Sequence, residues 1–437
     1  MNSYKIIYLP IELKDREFDA KLFLATSLLD KGFSVVIGQQ WAIYQALRDL
    51  PKGVILFKSL NKISSSAVIQ AKNFGHITLA QEEESLPFAG NKSLDSIFTL
   101  LNIEIFDSLD YILCNGDLEK KYHESKGIKS GKLITVGNLR IDILKKGIRE
   151  VFFKDKVSEI KKRFGKYILI NTNFGFVNAT IGSVDHIFNI YVQAGLTNPA
   201  DQDSVNEFND LVNWELSNLK EIRDFVRLAS ETFKSHNIII RPHPAENIMA
   251  IENEFKNIKN VYVIRDGSHV PWTMGADFLI HTSCTTGFEA RILETTAISI
   301  VSNNNFLSQD MISNKVNIIT KNSAEAISKI LEYSDSESNM PRKDIVIYEP
   351  IIDNILENCA QEKIVKFIEK INLISNEINF PKFPDTERKP FQIQKCFISL
   401  HEIENKIKKI FGMKLNINEY KIETLTDSLF FITKENS

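Results

Sequence analysis

Residues 237–244 read NIIIRPHP, and residues 278–293 read FLIHTSCTTGFEARIL. Each stretch begins as a short, buried-type strand, Ile238–Ile240 in the first and Phe278–Ile280 in the second. The first strand runs into Arg241-Pro242-His243-Pro244. The second runs into Thr282, Ser283, Thr285 and Thr286, where a helix carrying Glu289 begins. Strand ends that deliver a His, an Arg and several hydroxyls to a helix N-terminus suit a phosphate ester, because first-turn N–H groups and the helix dipole both favour an anion.

The same alternation runs through the chain. Lys5–Leu9, Ser34–Ile37, Val54–Phe57, His76–Ala80, Tyr111–Cys114 and Lys132–Val136 read as strands. Amphipathic helices separate them, such as Phe18–Lys31 with Leu22, Leu24, Leu28 and Leu29. Alternating elements of this kind imply parallel strands with crossover helices. A basic helical connector, Ile143–Phe164, interrupts the series. It restarts with Tyr167–Asn171, Asn237–Arg241, Val261–Ile264, Phe278–His281, Ala297–Val301 and Val316–Ile319. The expectation is two doubly wound α/β domains, 1–145 and 146–345, with a cleft between them facing the strand C-termini. Residues 346–437 are expected to form a crossover helix and a C-terminal helical extension.

Two segments break the rhythm. Between Asn171 and the helix expected before Arg241 lie about fifty residues rich in Asn, Asp and Glu, including NPADQDSVNEFND. They read as a long loop, functional or disordered. NFPKFPDTERKPF, residues 379–391, reads as an extended linker, and Leu400–Phe411 then places Leu400, Ile403, Ile407, Ile410 and Phe411 on one helical face beside lysines. That face is expected to pack against a domain or a second copy in a homodimer, or to lie peripherally on an anionic membrane.

Composition narrows the class. With 437 residues, 43% hydrophobic and 25% charged, the chain is that of a globular protein too long for one ordinary core. A net charge of −3 argues against a general nucleic-acid binder. Cys114, Cys284, Cys359 and Cys396 form no CxxC pair, so reduced thiols in a cytoplasm and no metal are expected. No apolar run approaches the ~18 residues that span a bilayer.

The motifs divide between chemistry and architecture. His243 sits in a turn stiffened by two prolines and could stabilise charge on a departing phosphate; otherwise it only bonds a backbone carbonyl. Thr286 and Glu289 fit a capping box. With Ser283 and Thr285 they also fit an anion cradle in which Glu289 holds ribose hydroxyls. Glu82 and Glu83, in QEEES after a strand, are either a solvated helix start or, at the cleft edge, a general base or a carboxylate facing the sugar. Gly137-Asn138-Leu139-Arg140-Ile141-Asp142 is a turn or an ordered hinge. Asn173 and Gly175 end a strand either where backbone can approach a ligand closely or in an Asx-rich turn. Arg16 could meet an anionic sugar or be a surface residue.

Taken in order, KDRE near Arg16, QEEES, GNLRID, INTNFGFVN, IIIRPHPAEN, and VPW followed by HTSCTTGFEA resemble the bacterial surface-carbohydrate biosynthesis proteins. These are GT-B-like glycosyltransferases related to the retaining β-Kdo transferases of capsule and O-antigen assembly. The resemblance spans about residues 4–335. Gln81 and Glu84 depart from the family's acidic run, and Leu139 stands where a proline is usual. The resemblance implies two Rossmann-like domains, an acceptor on the N-terminal one, and a CMP-activated ulosonic acid such as Kdo on the C-terminal one. It implies a glycan or glycolipid acceptor, no metal or other cofactor, and a cytoplasmic location, at most peripheral at the inner face of the membrane. His243, Asp210, Glu82 and Glu83 are the expected catalytic groups. Asn173, Arg241, Ser283, Thr285, Thr286 and Glu289 are expected to bind the nucleotide, and Arg16 and Arg140 the sugar or acceptor. If the anomer is retained a carboxylate nucleophile is expected, and Asp210 is chosen for it from the acidic loop, over Asp201, Asp203 and Glu207, as nearest the expected helix start. The alternatives are a CDP-glycerol-type polyol-phosphate transferase, a UDP-sugar 2-epimerase, and a non-catalytic scaffold.

Overall fold

The computed structural model describes residues 3–59, 62–83, 105–303, 306–335, 345–383, 395–412 and 420–434. It separates into two compact units, one comprising Met1–Phe152 with Ile345–Ser437, the other Phe153–Asp344. Residues 345–437 therefore belong with the N-terminal unit.

In that unit the strands are β1 (Ser3–Tyr4), β2 (Ile6–Ile11), β3 (Ser34–Gln39), β4 (Gly53–Phe57), β5 (Ile77–Gln81), β6 (Tyr111–Cys114) and β7 (Leu133–Thr135). β2, β3 and β4 are buried at every position, as expected of a parallel sheet covered on both faces. The parallel strands lie in the order β3-β2-β4-β5-β6-β7. The chain thus changes direction across the sheet at β2 and β4, and polar residues after these strands converge there.

The second unit carries β8 (Tyr167–Asn171), β9 (Asn237–Arg241), β10 (Val261–Val263), β11 (Phe278–His281), β12 (Ala297–Ile300) and β13 (Ile318–Thr320). All pair in parallel in the order β10-β9-β8-β11-β12-β13, the Rossmann order, with its switch point between β8 and β11. Ile168, Ile170, Ile238, Ile240, Ile280 and Ile298 pack on one side, and Leu169, Ile239 and Leu279 on the other. This is the period-two partition that a pleated strand imposes.

The acidic stretch is not a loop. Gln202–Thr232 is one helix of 31 residues, and Asp201 caps it by accepting from Asp203 N at 3.2 Å. Phe208, Val212, Leu219, Ile222 and Val226 recur at helical spacing and are buried. The charged residues of 198–210 are the solvated face of that helix. Asp210 is exposed on it, so the ground for choosing it as a nucleophile, nearness to a helix start, falls away.

The returning chain adds β14 (Asn376–Glu377), β15 (Tyr420–Thr426) and β16 (Leu429–Lys434). The β15–β16 hairpin extends the first sheet by antiparallel pairing of β16 with β3. Gly38 makes this approach feasible: a Cβ there would lie 2.0 Å from Ser428 O. Of NFPKFPDTERKPF, residues 384–391 lie outside the described residues; before them Phe380 packs edge-on against Phe431, and Phe383 is buried in the core. The helix Leu400–Gly412 buries Ile403, Ile407, Ile410 and Phe411 within the unit, and its Lys406 pairs with Asp19. The apolar face considered for a membrane is thus turned inward, and Leu400 alone of its five residues stays 39% exposed.

GNLRID proves to be the dock for this return. Asp142, fully buried, accepts from Ala360 N (3.1 Å), Gln361 N (2.8 Å) and Asn354 Nδ2 (2.6 Å), so a carboxylate sits on the N-terminus of the helix Ala360–Ile368. Asn354 also accepts from Asn138 N at 2.8 Å and donates to its carbonyl at 2.9 Å.

Candidate functional site

In the second unit the β8–β11 switch point gathers most of the residues singled out by sequence. Asn171 and His281, the last residues of β8 and β11, are register partners. Just beyond them Thr282 Oγ1 donates to Asn173 Oδ1 at 2.9 Å, tying the two strand-end loops together. The helix Thr285–Ile292 starts here, with Cys284 at its N-cap and no side-chain cap. Thr286 is therefore inside the helix, and the capping box expected from Thr286 and Glu289 does not form. The helix begins earlier because His281 Nδ1 accepts from Cys284 N at 3.2 Å and fixes the turn. Burial holds His281 far below the ordinary histidine range, at about 3, so the ring is neutral and its other nitrogen carries the proton. That nitrogen lies over Gly287, where a Cβ would come within 2.2 Å of it.

Several polar atoms at this switch point are buried without a hydrogen-bond partner among the described residues: both side-chain atoms of Asn171, Thr286 Oγ1 and His281 Nε2. Asn171 is only 4% exposed. Each such group costs about 1–3 kcal/mol if left unmet, so a native fold retains a cluster of them where water, an ion or a ligand completes it.

Other predicted ligands are already engaged. Ser283 adopts a left-handed backbone (φ 56°), donates through its amide to Ser299 Oγ at 3.2 Å and accepts from Asn314 Nδ2 at 2.8 Å. It orders the turn, at a backbone cost of order 1 kcal/mol. Arg241 donates to the carbonyls of Asp266 (3.0 Å) and Gly267 (2.7 Å) and stacks over Trp272, holding the next loop. Glu289, 1% exposed, has a carboxylate oxygen 2.5 Å from His269 Nε2, without the alignment of a hydrogen bond. Thr285 is half-buried at the helix start.

His243 follows β9. Its Nδ1 accepts from Ala245 N at 3.2 Å, so the neutral ring carries its proton on Nε2. The turn is held from below by Glu246, which accepts from His243 N (2.9 Å), Thr172 Oγ1 (2.6 Å) and Asn178 Nδ2 (3.2 Å). Arg265 donates to the carbonyls of His243, Pro244 and Glu246. Glu246 is fully buried, and burial raises its pKa.

Glu215, on the long helix, was not singled out by sequence. It accepts from Phe176 N (2.8 Å) and Val177 N (3.2 Å), so the strand-end loop 172–178 is held between two buried carboxyls. Burial raises Glu215 from 4.5 to about 7, against the opposing pull of the backbone amides. A carboxyl with a raised folded-state pKa binds its proton more tightly when folded. Its contribution is therefore complete below about pH 4.5 and lost as pH rises through about 7. Melting of the second unit is expected to lose about 1–3 kcal/mol across that window, and Glu215→Gln to flatten the loss. Equal pH slopes in the variant and the parent would remove Glu215 as the cause.

In the N-terminal unit the β2–β4 switch point holds an ionic cluster. Lys21 Nζ, on the helix Lys14–Asp30, donates to Glu17 (2.9 Å) and Pro10 O (2.7 Å) and lies 3.3 Å from Glu83. Lys58 reaches Glu12 (2.5 Å) and Glu17 (3.4 Å). Burial raises Glu17, but Lys21 and Lys58 outweigh it and hold the carboxyl at about 2. Burial is likewise the largest influence on Glu83, and there the net shift is upward. Glu82 accepts from Ser59 Oγ at 2.7 Å. Arg16 is half-buried on the same helix as Lys21, and Arg140 is half-buried in Leu139–Asp142, close enough to act electrostatically on Glu83. Glu84 and Ser85 lie outside the described residues. The solvated helix start considered for Glu82 and Glu83 does not apply, since they are 4% and 7% exposed.

Neither a protein-family profile nor any curated protein matches the chain. Solved structures do. The UDP-GlcNAc 2-epimerase of Methanocaldococcus jannaschii, in complex with UDP-GlcNAc and UDP, superposes with a TM-score of 0.52 at 13% identity, over 83% of this chain and 99% of that one. The UDP-GlcNAc 2-epimerase of Neisseria meningitidis bound to UDP-GlcNAc gives 0.51 at 14% identity, over 84% and 100%. At such identities the likeness establishes architecture: two Rossmann-like units in tandem, the GT-B-like fold.

Proposed function

We propose that this chain is a glycosyltransferase that moves Kdo or a related ulosonic acid from a CMP-sugar to a surface polysaccharide or glycolipid in the cytoplasm. The observation that carries the reading is the switch point of the second unit, where Asn171 and Thr286 keep buried polar atoms unsatisfied beside a helix N-terminus. A nucleotide phosphate meets that need, with no metal required by these groups. His243 would supply its Nε2 proton to the departing phosphate, and Asn173 and Thr285 would help seat the nucleotide. Glu83 and Glu82, with Arg16 and Arg140, would serve the acceptor. The ordered motifs from KDRE to HTSCTTGFEA support the CMP-sugar assignment.

A UDP-sugar 2-epimerase is the second reading, favoured by the fold shared with structures holding UDP-GlcNAc. Thermal shift with CMP, CTP, UDP and UDP-GlcNAc separates them. A nucleotide at a hundred times its Kd stabilises by about 2.7 kcal/mol. Stabilisation by CMP or CTP is expected. A shift with UDP or UDP-GlcNAc alone transfers the assignment to the epimerase reading, and no shift with any of the four overturns the nucleotide site.

A further inference from the structure

One buried cluster takes no part in either switch point. Cys114 ends β6, and Glu119 and His123 follow one turn apart on the helix Asp117–Ser125. The Cys114 Sγ, a Glu119 carboxylate oxygen and a His123 ring nitrogen lie within 4.8 Å of one another, and the three residues are 0%, 3% and 1% exposed. Glu119 Oε2 is occupied, accepting from Asn115 N at 2.7 Å. Its Oε1 is buried with no hydrogen-bond partner among the described residues and lies 3.5 Å from His123 Nε2.

We propose that Cys114, Glu119 and His123 form a structural site for a zinc-class divalent cation. The donor set is the first support: one thiolate, one imidazole and one carboxylate oxygen are all established zinc ligands. Charge is the second. Cys114 lies in the apolar core of the N-terminal unit, where an unmatched charge would be costly. A divalent cation displaces the thiol proton to solvent. Its two charges then match one thiolate and one carboxylate, and the buried site is neutral. Tetrahedral bonds of about 2.0–2.3 Å to zinc put the ligand atoms roughly 3.3–3.8 Å apart, so a side-chain movement of roughly 1 Å completes the contact. A water or other small donor fills the fourth position.

The location gives the ion a task. Asn115 and Gly116, directly after Cys114, receive the C-terminal return: Asp353 N donates to Asn115 O at 2.8 Å and Leu118 N to Pro350 O at 2.7 Å. A Cβ on Gly116 would lie 2.4 Å from the carbonyls of Pro350 and Ile351. An ion pinning the end of β6 to the following helix fixes the turn on which this segment docks.

The test is metal binding by the full chain, purified without a histidine tag. Elemental analysis is expected to find about one zinc per chain, and cobalt loading of the stripped protein to produce a thiolate-to-cobalt charge-transfer band. Cys114→Ala should abolish that band, and His123→Ala should weaken zinc by more than about 100-fold. A folded parent chain that neither retains nor takes up zinc, and shows no cobalt–sulfur band, overturns the proposal. So does zinc binding unchanged in Cys114→Ala, which would place the ion elsewhere. The parent spectrum decides the matter even where a variant does not fold.

Discussion

Lys21→Met is expected to destabilise the N-terminal unit by about 3–5 kcal/mol. Lys21 is 1% exposed, and its ammonium is shared by Glu17 and Glu83, themselves 3% and 7% exposed. Removing it leaves two buried carboxylates: Glu17 retains Lys58 at 3.4 Å, and Glu83 keeps the longer-range pull of Lys58 and Arg140. Isolated charges of this kind cost more than the pair was worth, because desolvation is then uncompensated. Glu83 is expected to answer by taking up a proton, which its raised pKa already favours. Two-unit chains need not unfold in one step, so the change should be followed through Trp41 of the first unit, against Trp214 and Trp272 of the second. The double variant Glu17→Gln/Lys21→Met should recover part of the loss. A Trp41 transition displaced by less than about 1 kcal/mol would mean that the cluster is solvated and the ion pairs nearly neutral in energy.

On the proposed transferase reading, His243→Ala is expected to lower sugar transfer on the order of 100-fold, roughly 3 kcal/mol of transition-state stabilisation, while the melting temperature hardly moves. The imidazole is half-buried, and the turn is held by backbone and by Glu246 and Arg265 instead of by the ring alone. Removing the ring therefore removes a donor without removing the turn. Glu246→Ala supplies the contrast: it should cost stability and activity together, since that carboxylate ties Thr172, Asn178 and the His243 amide. The assay is CMP release from CMP-Kdo. A folded His243→Ala chain with near-parental turnover would leave the histidine as architecture only.

What could be inferred before any coordinates follows from local physics. The twelve expected strands of the two parallel series all form, within two residues at either end, because apolar runs such as YILIN and NIIIR are unambiguous when bounded by helices. Their alternation with helices was enough to infer two doubly wound units. The placement of Asn173, Thr282, Thr285 and His243 at strand ends followed from the same periodicity.

Partnership was not visible. The sequence marks Arg241, Ser283 and Asp142 as polar residues in telling places, yet each binds main chain or side chains brought from elsewhere. The carboxyls that hold the site loop, Glu215 and Glu246, come from the helix Gln202–Thr232 and from the residue before a helix cap, and only folding makes them neighbours. The tail hairpin joined the first sheet because Gly38 leaves room at an open strand edge, a condition no window of β15 or β16 contains. Periodicity sets which face of each segment is buried, since that depends on residues two to four apart. Which buried polar atoms find partners, and which are left for a ligand, depends on residues far apart in the chain, 219 positions between Asp142 and Gln361 and 388 between Gln39 and Asp427, and was decided by tertiary packing alone.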